Sequence, residues 1–362
     1  MQAQSSMPGS PRPTTARAPV GRDPRPIAIT LGDPCGIGPE IVLKAFAAGL
    51  SSPALVIGDV GLLEREAVRL RLPLSIEPVA SPAAVAARGA LPEPAWVPVL
   101  ETTRLPDTLP VGTVDARAGE AAYRYVVRAA TLAMRGEVRA VVTAPLSKEA
   151  MHLAGHDYPG HTELLAELAG GVPVRMMLAN AELRTVLVTI HLALRDALSA
   201  LAVGPILETI RIADRALRAA GIAHPRIAVA GVNPHAGEGG RFGREEIDLV
   251  RPAVEAALAE GIDASGPHPP DTVFMRARGF REFDVVIAMY HDQGLIPVKY
   301  LGIDDGVNIT IGLPFVRTSP DHGTAFDIAG RPGAEGFGLA DPASLLAAFR
   351  QAEILSAGGG SR

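Results

Sequence analysis

From Ile27 onward the chain alternates short, nearly continuous apolar runs with longer stretches whose apolar residues recur every three or four positions. IAIT at 27–30, ALVIGD at 54–59, AVVTAP at 140–145, TVLVTI at 185–190, RIAVAGV at 226–232 and VVIAMY at 285–290 are the clearest of the short runs. Runs this compact and this apolar predict strands buried on both faces. Between them, Gly119–Arg135 sets Tyr123, Val126, Val127, Ala130 and Met134 at helical spacing. Pro205–Ala220 carries its proline in the first turn, with Gly221 where a C-terminal cap stands. Such alternation predicts an α/β protein with a largely parallel sheet. The Pro-rich stretches near 81–95 and 265–270 read as surface connections. Residues 1–26 hold six prolines and four arginines with no apolar stretch, which predicts a disordered tail and no signal peptide.

Composition narrows this picture. A length of 362 residues suits two domains of ordinary size. With 34 basic against 39 acidic residues, a net charge of −5 and 4% aromatics, a chain built around nucleic acid is not expected. No run approaches the ~18 apolar residues of a membrane span. The single cysteine, Cys35, excludes an internal disulfide and fits a reducing compartment, so a cytoplasmic location is expected. Lysine occurs only at 44, 148 and 299. Lys44 reads as a surface residue, and Lys148 as either a helix-start surface residue or a helper near a site.

In open α/β sheets ligands gather outside the carboxyl ends of strands. His191, His235 and His291 each follow a predicted strand by one to a few residues. Three imidazoles suit a divalent transition metal and leave positions free for substrate or water. Their spacing matches no local metal motif, and three unrelated histidines held by backbone groups is the competing reading. Asp292, directly after His291, and Asp271, in PPDTVF, are placed to orient a ring or accept a proton. Turn and capping chemistry is the alternative for both. His161 and Thr162, in GHTE, stand at the start of a predicted helix, where an anion is favoured, although Thr162 could be a simple cap. Lys299, Asn308 and Arg317 could together hold a phosphate and a carboxylate. The loop GDPCGIGPE at 32–40 does not complete a G-x-G-x-x-G fingerprint, because Ile41 stands at the third glycine. Cys35 within it reads as a small filler side chain.

The segments ITLGDPCGIGPE, TAPLSKEA, YPGHTE, TIHLALRD, NPHAGEGG, AMYHDQGLIPVKY and GVNITIGLPFVRTSPDHGTAFDIAG, spread over about Ile27 to Arg331, resemble the 4-hydroxythreonine-4-phosphate dehydrogenase family of pyridoxal phosphate biosynthesis. GDPCGIGPE and HGTAFDIAG also resemble the wider isocitrate/isopropylmalate dehydrogenase fold. That resemblance implies two α/β domains with largely parallel sheets and an active site in the cleft between them. The expected division is 27–145 plus 305–362 for the domain with the cofactor loop, and 146–304 for the domain with the metal ligands and dimer interface. It implies His191, His235 and His291 as ligands of one divalent metal (zinc, magnesium or cobalt). His161, Thr162, Lys299, Asn308 and Arg317 would contact the phosphorylated hydroxy amino acid substrate. His322, Gly323, Thr324, Ala325 and Asp327 would line the NAD or NADP site, and Asp271 or Asp292 would serve as base. A homodimer sharing the metal site across its interface is expected, with no nucleic-acid or membrane partner. The implied reaction is oxidation of 4-phosphohydroxy-L-threonine with decarboxylation to 3-amino-2-oxopropyl phosphate. Paralogous 4-phospho-D-threonate or D-erythronate dehydrogenases, a cis-dihydrodiol carboxylate dehydrogenase, and a non-catalytic metal- or metabolite-binding protein are the competing readings. Two departures from the family pattern, Cys35 for Ala and Ala193 for Pro, touch no expected ligand.

Overall fold

The computed structural model describes residues 23–88, 95–302, 305–333 and 338–357. Most of the expected tail, residues 1–22, lies outside the described residues, as does 89–94 of the first Pro-rich stretch. Among the described residues twelve strands form one continuous sheet: β1 Ile27–Thr30, β2 Ala54–Gly58, β3 Ser75–Pro78, β4 Trp96–Glu101, β5 Ala140–Thr143, β6 Arg175–Ala179, β7 Arg184–Leu187, β8 Ile227–Ala230, β9 Ala264–His268, β10 Val285–Ala288, β11 Val307–Ile311 and β12 Val316–Pro320. Their order across the sheet is β3-β4-β2-β1-β5-β12-β11-β6-β7-β10-β8-β9. All six apolar runs picked out above become strands, and β1, β2, β5, β8 and β10 are buried along their whole length. The expected α/β class with a largely parallel sheet is what forms.

Two parallel blocks make up the sheet. β3, β4, β2, β1, β5 and β12 run one way. Three successive antiparallel pairings, β12 with β11, β11 with β6, and β6 with β7, then reverse the direction. β7, β10, β8 and β9 are parallel to one another. The carboxyl ends of β7, β10 and β8 therefore leave the edge of the sheet opposite to that of β1, β5 and β12. Asn180 shapes the β6–β7 turn: its Oδ1 accepts from the Glu182 and Leu183 N–H groups at 2.8 and 2.9 Å.

Segment 265–270, expected as a surface connection, is instead mostly strand β9, and 82–88 of the first Pro-rich stretch is a helix. β9 and β3 both contain proline and occupy the two outer edges of the sheet, where a missing N–H breaks no ladder bond. The long helix spans Ala116–Met134, three residues ahead of the expected start, because the Asp115 carboxylate accepts from the Arg117 N–H at its head. Gly119 in it lies so close to the helix Lys148–Leu153 that a Cβ would run into the Ala150 carbonyl group. The helix Ala343–Ala357 returns to cover β12 and β5, and the Thr318 hydroxyl donates to the Ala348 carbonyl at 2.8 Å.

Lys44 is not a free surface residue. Its ammonium is held at 2.8 Å by Glu40, and also by the Gly338 and Ala340 carbonyls. Glu40 itself is 1% exposed and accepts from Arg69 and from the Ala340 N–H.

Candidate functional site

At the centre of the sheet, the guanidinium of Arg317 on β12 is buried and forms no ion pair with a carboxylate among the described residues. Nη1 donates to Thr310 Oγ1 on β11 at 3.0 Å and Nη2 to Thr143 Oγ1 at the end of β5 at 2.7 Å. Burial pushes the Arg317 pKa down to about 10, and the nearby Glu163 only partly opposes this. The helix His161–Leu168 begins beside it with Gly160 at the cap position and no capping side chain. Thr162 is thus not the cap; its hydroxyl stands 3.4 Å from that of Thr310. His161 is held neutral, its pKa well below the usual value, by burial and by the charges of Arg317 and Lys148. Among the described residues, His161 Nε2, Asn308 Oδ1 and Arg317 Nε are buried without hydrogen-bond partners. A cation, a neutral imidazole and open helix N–H groups, with the ring and guanidinium nitrogens His161 Nε2 and Arg317 Nε unfilled, are a set of groups chemically suited to an oxyanion. Lys299 lies 2.8 Å from Asp321, just past β12, with two further N–H donors to offer.

The three histidines leave three adjacent strands, β7, β10 and β8, but only two of them meet. The rings of His191 and His291 are 5.7 Å apart and line a cavity of about 340 Å³ with Tyr290, Asp292, Leu192 and Leu194. Asp292 Oδ1 lies 2.7 Å from His291 Nδ1, which turns Nε2 outward for a ligand. His235 sits in an exposed left-handed turn. Every residue from His235 to Gly239 has positive φ, an arrangement that persists only when its surroundings impose it. The restraint is Glu246, 1% exposed, which accepts from the Val232 and Asn233 N–H groups at 2.7 Å each. Gln293 adds a second tie, accepting from the Met289 N–H and donating to the Gly231 carbonyl, each at 2.7 Å. Among the described residues no three His, Cys, Asp or Glu side chains are grouped to hold a metal ion. His191 and His291 fit as two imidazole ligands and lack a third among the described residues. Asp271 is exposed in the first turn of the helix Pro270–Ala277, on the His235 side.

The helix His291–Leu301 separates two parts of the expected site. It starts at the histidine edge and carries Lys299 back to Asp321 at the other. Eight residues of helix put His291 and Lys299 about 12 Å apart.

The loop after β12 holds His322, Gly323, Thr324, Ala325 and Asp327 and packs on the glycine-rich loop after β1. The Ile37 N–H donates to the Thr324 carbonyl at 3.0 Å, and a Cβ on Gly36 would meet Thr324 at 2.9 Å. Within the glycine-rich loop Asp33 is fully buried. Its Oδ1 accepts from the Cys35 N–H at 2.8 Å, and burial raises its pKa to about 6. Cys35 is buried too, and its thiol is pushed up to about 12, which fits a filler and not a nucleophile. Sequence reasoning did not single out Asp33, Glu246 or Gln293, since nothing local marks a buried carboxylate or amide that ties two loops together.

A family model for the pyridoxal phosphate biosynthetic protein PdxA matches residues 51–352. The 4-hydroxythreonine-4-phosphate dehydrogenase of Beijerinckia indica is 53% identical over 334 residues, 91% of this chain and 95% of its own. The D-threonate 4-phosphate dehydrogenase of Salmonella typhimurium is 52% identical over 306 residues, 84% of this chain and 92% of its own. The crystal structure of 4-hydroxythreonine-4-phosphate dehydrogenase from Klebsiella pneumoniae superposes with a TM-score of 0.83 at 47% identity, over 92% of this chain and 98% of that one. With this coverage and identity, the chain belongs to the pyridoxal phosphate biosynthetic protein PdxA family.

Proposed function

We propose that the protein oxidises 4-phosphohydroxy-L-threonine with NAD or NADP, with decarboxylation to 3-amino-2-oxopropyl phosphate, in pyridoxal 5'-phosphate biosynthesis. The observation that carries this reading is Arg317, a buried guanidinium with two hydroxyl partners and no carboxylate, beside a neutral His161. Such a group is stabilised by an anionic ligand. His161, Thr162, Asn308, Lys299 and Arg317 hold the phosphorylated end of the substrate and orient the rest of it. The loop His322–Asp327 receives the dinucleotide.

His191, His291 and His235 are the ligands of one divalent metal, which when bound supplies Lewis acidity at the substrate's oxygens. Asp292 orients His291 through Nδ1. Asp271, exposed and with no hydrogen bond or ion pair to the described residues, takes the hydroxyl proton.

His235 is supplied by a second copy of the chain, in a homodimer whose sites need both subunits. Two features support this: the isolated His191–His291 pair and the exposed apolar side chains beside it. Leu192 and Leu194 are more than half exposed, as are Ile296 and Tyr300 on the helix that His291 begins. We also assign 27–145 plus 305–362 and 146–304 to two α/β domains. The direction reversal through β11 and β6 supports a boundary there, although β11 pairs with both sides.

The similar identity of relatives with the two names makes 4-phospho-D-threonate the second reading. Side-by-side measurement of NAD(P)H formation with 4-phosphohydroxythreonine and 4-phosphothreonate tests the assignment. Turnover of the first at the higher kcat/KM is expected. Turnover of phosphothreonate alone rejects it.

A further inference from the structure

Lys148 is the one lysine whose role the sequence leaves undecided. It opens the helix Lys148–Leu153, whose position is set by the Ser147 cap on the Ala150 N–H and by the close packing of Gly119. From there its side chain reaches towards the oxyanion receptor: Cε lies 3.7 Å from the point a Cβ on Gly160 would occupy. Its charge acts on His161, the residue that follows. Lys148 is exposed and forms no ion pair with a described carboxylate. Glu163 Oε2 stands 3.4 Å from the same point and is the acidic group that opposes an anion there.

We propose that Lys148 is a further phosphate-binding residue, closing the solvent side of a site whose buried wall is Arg317. The inference rests on the oxyanion reading of that site, which is supported separately by the unpartnered, buried His161 Nε2 and Arg317 Nε. A phosphomonoester has three terminal oxygens and close to two negative charges. Arg317, bound from below by two threonine hydroxyls, can face only part of that charge. The open N–H groups at the head of helix His161–Leu168 face another part. A flexible ammonium above Gly160 neutralises the portion turned to water and offsets Glu163. Because Lys148 is exposed, its attraction is screened by salt, whereas that of buried Arg317 is screened much less.

Calorimetric titration of the intact protein with inorganic phosphate, at low and at high ionic strength, tests this on Lys148→Met, Lys148→Arg and Arg317→Met. Lys148→Met is expected to weaken phosphate binding roughly five- to tenfold at low salt. The difference narrows at high salt, Lys148→Arg retains most of the affinity, and the melting temperature does not move. If Lys148→Met binds phosphate like the wild type while Arg317→Met does not, Lys148 is excluded and the oxyanion site stands. If neither substitution changes phosphate binding, the oxyanion reading fails and the proposal fails with it.

Discussion

The guanidinium of Arg317 donates to the Thr143 hydroxyl at 2.7 Å, joining β12 to the neighbouring parallel strand with a fixed positive charge in the interior. A buried cation hydrogen-bonded to hydroxyls and only partly offset by the nearby Glu163 favours ligand binding at the expense of stability. Arg317→Met is therefore expected to lower kcat/KM for the phosphorylated substrate by about 30-fold to more than 1,000-fold, the effect of losing a buried charged contact worth ~2–5 kcal/mol. The melting temperature should stay level or rise, because removal of an uncompensated buried charge relieves its desolvation. Steady-state kinetics and thermal unfolding on one preparation read both; a large loss of stability with normal KM would contradict the assignment.

His161 gives the free protein a dependence on acid. Its folded-state pKa is depressed below 6.5 by burial and by Arg317 and Lys148, so the unfolded chain takes up a proton that the folded chain refuses. The stability linked to this residue is fully present above pH 6.5 and is lost as the pH falls below it, by up to about 1.4 kcal/mol per unit. In urea unfolding from pH 7.5 to 5, the wild type should lose ground relative to His161→Gln as the pH falls. Parallel curves for the two proteins would show that His161 is not held neutral.

Asp33 acts in the opposite direction. Its folded-state pKa is raised from 3.8 to about 6 by burial, so the folded chain holds a proton that the unfolded chain has released. Its contribution is fully present below pH 3.8 and is lost as the pH rises through about 6, a change on the order of 3 kcal/mol. Asp33→Asn carries no such dependence. Stability relative to the wild type should therefore move in favour of the asparagine variant between pH 4.5 and 7.5, measured by urea midpoint. A constant difference would place the Asp33 carboxyl in contact with water.

What was legible in the sequence follows from how each element is solvated. β1, β5, β8 and β10 show as apolar runs because both of their faces are covered. β12, with the sequence VRTSP, does not, because Arg317, Thr318 and Ser319 are buried polar side chains, and Arg317 and Thr318 find partners in Thr143 and Ala348 on distant segments. β3 and β9 are concealed by prolines, which at the two outer edges of the sheet cost no ladder bond. The histidines could be placed at strand ends, since each follows a legible strand. The reversal of strand direction through β11 and β6 could not, and it sends the histidines to the edge opposite Lys299. Arg317 was legible as a possible anion holder together with Lys299 and Asn308, whereas the loop His322–Asp327 gained its role only from the family resemblance, because a Gly-Thr turn has no local signature of a ligand site.

Glu40 is expected to carry stability away from the chemistry. It joins the helix Gly38–Ala48 to Arg69 on the next helix and to the segment leading into the last one. Glu40→Ala would leave Lys44 and Arg69 without their shared carboxylate and the Ala340 N–H without its acceptor. A loss of about 3–5 kcal/mol is expected, with Glu40→Gln in between because it keeps an acceptor for Ala340. Chemical denaturation gives the values, and KM for substrate in the folded variants should be unchanged.

The proposed sharing of the metal ligands between subunits predicts rescue between two inactive proteins. His235→Ala and His291→Ala should each lose metal, read by elemental analysis, and lose turnover. If His235 of one subunit completes the His191–His291 pair of the other, a dimer of one His235→Ala chain with one His291→Ala chain concentrates both lesions in one site. Its second site is intact. Random reassortment makes roughly half of the dimers mixed, and each mixed dimer holds one working site of two. About a quarter of wild-type activity and metal content should then return on mixing. A site built within one chain gives a different result, since every chain in the mixture lacks one ligand and no combination restores it. The mixture should be unfolded and refolded together, because a stable dimer exchanges subunits slowly. Activity that stays at the level of the separate variants after co-refolding would reject the shared site.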